Sequence, residues 1–314
     1  MIELNRIYNI DCLEGSKDIE SGSVDLILTD LPYGNMNGAV LDGWGKDKTS
    51  WDIAIEPSKV YEIANRILRK NGKMVLFGQE PYTSRLINDA ITNIPFSYRM
   101  VWEKDHFANS LIAKKAPVSY FEDILVFSKE HDIESIHPLR QYFKMVMDFL
   151  GLTLRQINTA LGHRKAEHTF YINSTQYELC KEQTYQELIE VFKIDKMEGF
   201  KTFEELRVVD KKYDSVFNLW EGNKYKSNIL KCKKDYGGLH PTQKPILLLE
   251  DLIKTFSNEG NTVVDLTIGS GSTAIACINT GRNYIGFELN EHYLEISQNR
   301  INEHIDTQQV SFLI

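Results

Sequence analysis

Apolar and polar positions fall into blocks along this chain, and the clearest block is Val24-Asp25-Leu26-Ile27-Leu28-Thr29, nearly continuous in apolar and β-favouring residues. That is the pattern of a strand buried on both faces. It stops at Asp30-Leu31-Pro32-Tyr33-Gly34, because proline fixes its own φ and holds the preceding residue extended. Ile7 to Ile10 is a shorter strand, and Pro57 to Leu68 is a helix with Ala64, Ile67 and Leu68 on one stripe and Asn71-Gly72 as its stop signal. The pattern continues as strand (Lys73 to Phe77), helix (Pro81 to Ile91) and two strands (Phe96 to Trp102, Ile124 to Phe127). After Tyr213 the alternation resumes. Ile246 to Phe256 is an amphipathic helix, Thr262 to Asp265 a strand, Thr273 to Asn279 a helix, Asn283 to Glu288 a strand and His292 to His304 a closing helix. Such alternation predicts an α/β fold with a mostly parallel, twisted sheet covered by helices on both faces.

Between Lys129 and Tyr213 the sequence turns helical and polar, which predicts a catalytic or binding domain made of residues 1–128 and 214–314 interrupted by a helical insertion at 129–213. Thr153 is a candidate N-cap and Gly162 a candidate C′ residue for a helix over Leu154 to Leu161. A second segment runs from Arg164 to Tyr171, and Thr184 is placed to cap a third helix through Phe192. Two readings of this region stand side by side. One is a helix-turn-helix whose second helix presents Arg164, Lys165 and His168 to a DNA groove; the other is an ordinary helical hairpin.

Composition narrows the classes. The 314 residues carry a formal net charge of −8, which argues against a nucleic-acid partner, an objection softened by Lys224, Lys226, Lys231, Lys233 and Lys234, which gather in one stretch. There is no apolar run of membrane-spanning length and no signal-peptide pattern, so a cytoplasmic protein with no membrane partner is expected. Cys12, Cys180, Cys232 and Cys277 form no C-x-x-C pair, which suggests neither a zinc ribbon nor a disulfide framework, and no metal is expected.

Two motifs carry the chemistry. Asp30, the Leu31 carbonyl and Tyr33 combine two acceptors with an aromatic ring, a set suited to a planar substrate bearing an amino group; a plain strand-end turn has the same residues. Far downstream, Gly269-Ser270-Gly271-Ser272-Thr273-Ala274 follows a strand and opens a helix, and Glu288 ends the next strand. That is the context of a nucleotide-binding loop with an acid for ribose hydroxyls. The loop even satisfies G-x-G-x-x-A, but only about one βαβ unit follows it, too little for the two halves of an NAD fold. A ligand with one nucleoside and a short charged tail, such as S-adenosylmethionine, fits better.

The order of these motifs, with His240-Pro241-Thr242-Gln243-Lys244-Pro245 before the amphipathic helix and Asp11-Cys12-Leu13-Glu14 followed by Ser23-Val24-Asp25 near the start, resembles the amino-group DNA methyltransferases of the β class. In that class the catalytic motif precedes the cofactor motif. The resemblance implies a Rossmann-like sheet with circularly permuted motif order and a site-specific, S-adenosylmethionine-dependent enzyme acting on double-stranded DNA as a monomer or homodimer, hence nucleoid-associated. It implies Asp30, Leu31, Pro32 and Tyr33 as the catalytic turn, with Tyr33 stacking on an extruded base. It further implies Asp11 at the cofactor's adenine, Glu288 at its ribose, and Gly269, Gly271, Ser272 and Thr273 with Lys244 at its methionine end. Asp30 borders the cofactor, and Asp265 serves either the ligand or the loop's geometry. An acidic first residue resembles adenine-N6 more than cytosine-N4 enzymes. Leu31 departs from the family, which usually has proline there. Cytosine-N4 or RNA methylation, and a non-catalytic DNA-binding regulator, are the alternatives. The loop from Gly34 to Trp51 is expected to be mobile without DNA and to close around a flipped base.

Overall fold

The computed structural model describes residues 2–34, 54–108, 113–131, 137–174, 176–235 and 243–311, with residues 108 and 309–311 as backbone only. The loop after Gly34 and the residues His240, Pro241 and Thr242 lie outside the described residues. The chain forms two compact units, Met1–Glu130 with Val216–Ile314, and His131–Ser215.

The first unit is built on one eight-stranded sheet. Its strands are β1 (Arg6–Tyr8), β2 (Val24–Thr29), β3 (Leu68–Gly78), β4 (Phe96–Ala108), β5 (Ser119–Ser128), β6 (Ile229–Lys231), β7 (Thr262–Asp265) and β8 (Asn283–Phe287), in the spatial order β1-β8-β7-β2-β3-β5-β4-β6. All pairings are parallel except those of β5, which runs antiparallel to β3 and β4. The mostly parallel α/β fold expected from the alternation is therefore observed. Successive β3 side chains feed two cores on opposite faces, Met74 and Leu76 on one and Val75 and Phe77 on the other. The helices α1 (Cys12–Gly15), α2 (Pro57–Ile67), α3 (Tyr82–Asn88), α8 (Ile246–Phe256), α9 (Ser272–Asn279) and α10 (Glu291–Ser311) belong to this unit, and α4 (Pro138–Leu150), α5 (Leu154–Leu161), α6 (Glu182–Phe192) and α7 (Phe203–Lys211) to the second.

Four local expectations are corrected. Asn71-Gly72 is not a helix stop: α2 ends at Ile67, β3 begins at Leu68, and Asn71 adopts φ 64° within the strand, where the pairing of β2 with β3 shifts register. Both β4 and β5 extend beyond the apolar runs, taking in the buried charges Lys104 on one and Glu122 and Asp123 on the other. In the second unit, Arg164 to Tyr171 is not an α-helix but a set of turns ending in a short 3-10 helix, His168–Phe170. Its buried Thr169 hydroxyl donates to the Glu178 carbonyl, 2.9 Å away, and the Arg164 guanidinium folds back onto Glu167. The chain turns where a second helix would have to continue, so the helix-turn-helix reading fails. Thr184 does not cap α6 either; Lys181 holds that position, and Thr184 is buried within the helix. By contrast α5 has the expected Thr153 cap, completed by Gln156 as a capping box, and Gly162 at its left-handed end.

One glycine sets how closely the loop after β7 can approach β8. A Cβ on Gly286 would lie 2.4 Å from Ile268 Cδ1, and Ile268 donates its N–H to the Phe287 carbonyl at 2.9 Å. Substitution Gly286→Ala is expected to force this loop outward and destabilise the protein by about 1–3 kcal/mol, read as a lowered urea midpoint with an unchanged m-value.

Candidate active site

The carboxyl ends of β2, β7 and β8 open onto a cavity of about 620 Å³, the place where open parallel sheets bind ligands. A cluster of threonines around one buried acid shapes its floor. Thr29 donates to Asp265 Oδ1 at 2.8 Å, the Thr267 N–H reaches the same oxygen at 3.1 Å, and Thr273, in the first turn of α9, donates to Oδ2 at 2.6 Å. Burial pushes the Asp265 carboxyl up to about 6, against the pull of these donors. It is thus ionised at neutral pH and bound on both oxygens, the satisfaction a buried charge requires. Thr267 also donates its hydroxyl to the Asp30 carbonyl at 2.9 Å, tying the end of β2 to the loop after β7.

The glycine loop is held from both sides. Glu288 accepts the Gly269 N–H on Oε2 at 3.0 Å and the Asn290 N–H on Oε1 at 2.8 Å. Burial raises its carboxyl above the ordinary range. From the opposite side Arg300, on α10, donates to the Ser270 carbonyl at 2.7 Å and to the Ser272 hydroxyl at 3.2 Å. Gly271 takes φ 81° as the N-cap of α9, and a Cβ there would lie 3.0 Å from Ser297 Cβ, so the position leaves little room for a side chain. Asp11 is the N-cap of α1 and accepts the Leu13 N–H at 2.8 Å, so it closes a turn and lines the cavity at once.

The turn Asp30-Leu31-Pro32-Tyr33 has its polar groups engaged. The Tyr33 hydroxyl donates to Asp30 Oδ1 at 2.6 Å, and Lys244 Nζ forms an ion pair with Oδ2. The Tyr33 ring lies against Tyr82, centroids 5.8 Å apart. Burial pushes the Asp30 carboxyl up, with the Lys244 ammonium pulling against it. The Leu31 side chain is buried in the core, only 2% exposed.

Of the residues expected from the sequence, Asp11, Asp30, Pro32, Lys244, Asp265, Gly269, Ser272, Thr273 and Glu288 all line this one cavity. Gly271, Leu31 and Tyr33 are not among the residues that line it. Glu122, Lys104, Arg300, Thr29 and Thr267 were not anticipated; only the interruption of an apolar run by Glu122-Asp123 could have pointed to the first. Among the described residues no group of acids, histidines and cysteines is arranged to hold a metal ion.

The family model for DNA methylases of the N6/N4 type matches residues 24–299. The chain belongs to this family. Type II methyltransferase M2.DpnII of Streptococcus pneumoniae is 33% identical over 291 residues, 91% of this chain and 85% of the relative. DNA adenine methyltransferase YhdJ of Escherichia coli K12 is 25% identical over 96% of this chain and 83% of its own length. Among solved structures, the M1.HpyAVI–SAM complex superimposes with a TM-score of 0.53 at 20% identity, covering 94% of this chain and 98% of the other. The cytosine-N4-specific PvuII DNA methyltransferase does so with a TM-score of 0.52 at 14% identity, covering 93% and 84%. Both share the fold.

In this DNA methylase, Arg164, Lys165 and His168 lie apart from the cavity residues in sequence and belong to the second unit. All three are exposed, Arg164 paired with Glu167 and His168 stacked on Tyr171 at 5.0 Å. No helix of the described residues is long and apolar enough to cross a membrane.

Asp265 makes the methylase's stability depend on pH with a defined sign. Its carboxyl titrates at about 6 in the fold against an ordinary 3.8, so the native state holds the proton more tightly and stability falls as pH rises through this window. Relative to Asp265→Asn, the wild type is expected to lose roughly 3 kcal/mol between about pH 4 and pH 6. Urea unfolding of both proteins across that range measures it; parallel stability curves would count against the assignment.

Proposed function

We propose that this DNA methylase is a site-specific adenine-N6 methyltransferase that uses S-adenosylmethionine and acts on a base extruded from double-stranded DNA. The observation that carries the reading is that Asp30, at the end of β2, shares one cavity with the glycine loop and Glu288. The donor set suits the cofactor: Glu288 and Asp11 offer acceptors for nucleoside hydroxyl and amino groups, and the loop of Gly269, Gly271, Ser272 and Thr273 allows the close backbone approach that an amino-acid tail needs. When bound, S-adenosylmethionine supplies an electrophilic methyl group.

An exocyclic amino nitrogen is a weak nucleophile because its lone pair is delocalised into the ring. Asp30 and the Leu31 carbonyl, accepting its two N–H groups, concentrate that lone pair and stabilise the positive charge that grows on nitrogen in the transition state. Pro32 keeps the Leu31 carbonyl in an extended setting, and Tyr33 offers its ring to the base. The amino group cannot meet a bound cofactor inside the duplex, so the base leaves the stack. Asp265 acts on loop geometry, Lys244 on Asp30. In the second unit, Arg164, Lys165 and His168 are exposed and available to DNA phosphates from turns rather than from a recognition helix.

Adenine is favoured by the acidic residue at position 30 and by the likeness to an adenine methyltransferase; the PvuII enzyme's fold keeps cytosine-N4 as the competing target. Mass spectrometry of nucleosides from DNA incubated with protein and cofactor decides. N6-methyladenine is expected, and N4-methylcytosine in its place would overturn the target. Asp30→Ala is expected to lower methyl transfer by about 10²–10³ while cofactor binding, followed by calorimetry, is retained. A DNA-binding regulator without catalysis would lose nothing in that variant.

A further inference from the structure

Beyond Asp30 the charges continue inward as a line of alternating sign. Lys244 Nζ, ion-paired with Asp30, also lies 3.3 Å from Glu122 Oε2. Glu122 projects from the antiparallel strand β5, and its other oxygen, Oε1, is ion-paired with Lys104 from β4 and accepts from Gln79 Nε2 at 3.3 Å. All four side chains are largely buried. Two carboxylates and two ammoniums make the line neutral, the condition under which buried charges are tolerated. One oxygen stands out: Glu122 Oε2 is buried, and the Lys244 ammonium lies at ion-pair distance from it.

We propose that Glu122 is a positioning residue for methyl transfer, the alternative seat for the Lys244 ammonium when a target amino group takes its place on Asp30. The inference rests on the methyltransferase reading above. In the structure Tyr33 occupies Asp30 Oδ1 and Lys244 occupies Oδ2, so an incoming N–H meets a carboxylate already engaged on both oxygens. Lys104 and Gln79 fill Glu122 Oε1 and leave Oε2 turned to Lys244. The lysine is a point charge on a flexible stem with three donors, so a small movement of Nζ exchanges one carboxylate for the other. The Phe77 ring, its centroid 4.9 Å from Nζ, supports the cation beside both partners. Glu122 thereby keeps Asp30 an available acceptor while Lys244 stays charged and paired.

The groups that act on Asp30 are Tyr33, Lys244, Glu122 and Asp265; those that act on Glu122 are Lys244, Lys104, Gln79 and Asp30. Glu122 repels the Asp30 charge. Removing the Glu122 charge therefore leaves Lys244 undivided on Asp30 and lowers the pH at which Asp30 ionises.

The test is the pH profile of kcat for methylation of duplex DNA by the full chain and by Glu122→Gln, Glu122→Asp and the double variant Glu122→Gln with Lys104→Met. The double variant removes the stranded Lys104 charge, so a loss of folding in the single variant does not decide the outcome. The expected result is a fall in kcat of roughly tenfold to a hundredfold with KM for the cofactor little changed, and an acid limb moved to lower pH. Glu122→Asp, which keeps the charge, is expected to restore most of the rate. An active wild type with the double variant unchanged in kcat and acid limb would overturn this inference alone. A wild type that transfers no methyl group to any DNA would overturn the methyltransferase reading and this inference with it.

Discussion

The site depends on one buried carboxylate. Strands β2 and β7 are paired only at Leu26 with Val263 and Ile27 with Val264, and beyond those residues their ends part to form the cavity. Side chains, not backbone ladders, hold the parted ends at a fixed separation. Asp265 takes one donor from β2 through Thr29, one from the loop through the Thr267 N–H and one from α9 through Thr273. A buried charge loses several kcal/mol when it is underpaired. The three donors therefore act together, and satisfying Asp265 orders the end of β2 and the glycine loop as a unit. Thr267 extends that order by one step, because its hydroxyl fixes the carbonyl of Asp30.

The same economy of donors explains how a chain of net charge −8 can gather Asp11, Asp30, Glu122, Asp265 and Glu288 near one cavity. Their carboxylates are neutralised or bound in different ways: Glu288 by two backbone N–H groups, Asp265 by threonines, Asp30 and Glu122 by lysines. Such a lining favours neutral donors, hydroxyl and amino groups, and disfavours phosphate. On the proposed reading these acids would meet the extruded base and the nucleoside of the cofactor, and the DNA backbone would be left to other surfaces. Arg300 follows this division: its guanidinium is spent on the Ser270 carbonyl behind the loop, where it stiffens the loop without adding exposed positive charge to the cavity.

Where hydrophobic periodicity governs, the sequence was readable. The strands β2, β7 and β8 and the helix α8 are apolar along one or both faces, and each motif residue stands at an element's end, where a change of pattern marks it. Reading failed where a polar residue does a buried job. Lys104 and Glu122 look like solvent-facing breaks in a strand, yet they pair with each other inside the sheet, a relation between positions 18 residues apart that no local window contains. Arg164 to Tyr171 failed for a related reason. Its composition suits a helix, but the Thr169 hydroxyl bonds to the Glu178 carbonyl, and that longer-range bond outweighs a helix propensity worth only tenths of a kcal/mol per residue.

Leu31 shows how a departure from the family's proline is absorbed. A proline there would fix φ of residue 31 and restrict Asp30 in addition; leucine gives up both constraints. Two others replace them. The leucine side chain is buried in the core cluster that also holds Ile27 and Leu266, so rotation about its φ would expose apolar surface worth about 1.5–3 kcal/mol. Asp30, for its part, is fixed through its carbonyl by Thr267 and through its carboxylate by Tyr33 and Lys244. Pro32 still holds residue 31 extended from the following side. The carbonyl of Leu31 is therefore oriented by packing on one side and by a ring on the other. Stiffness in this turn comes from its surroundings as much as from its own covalent structure.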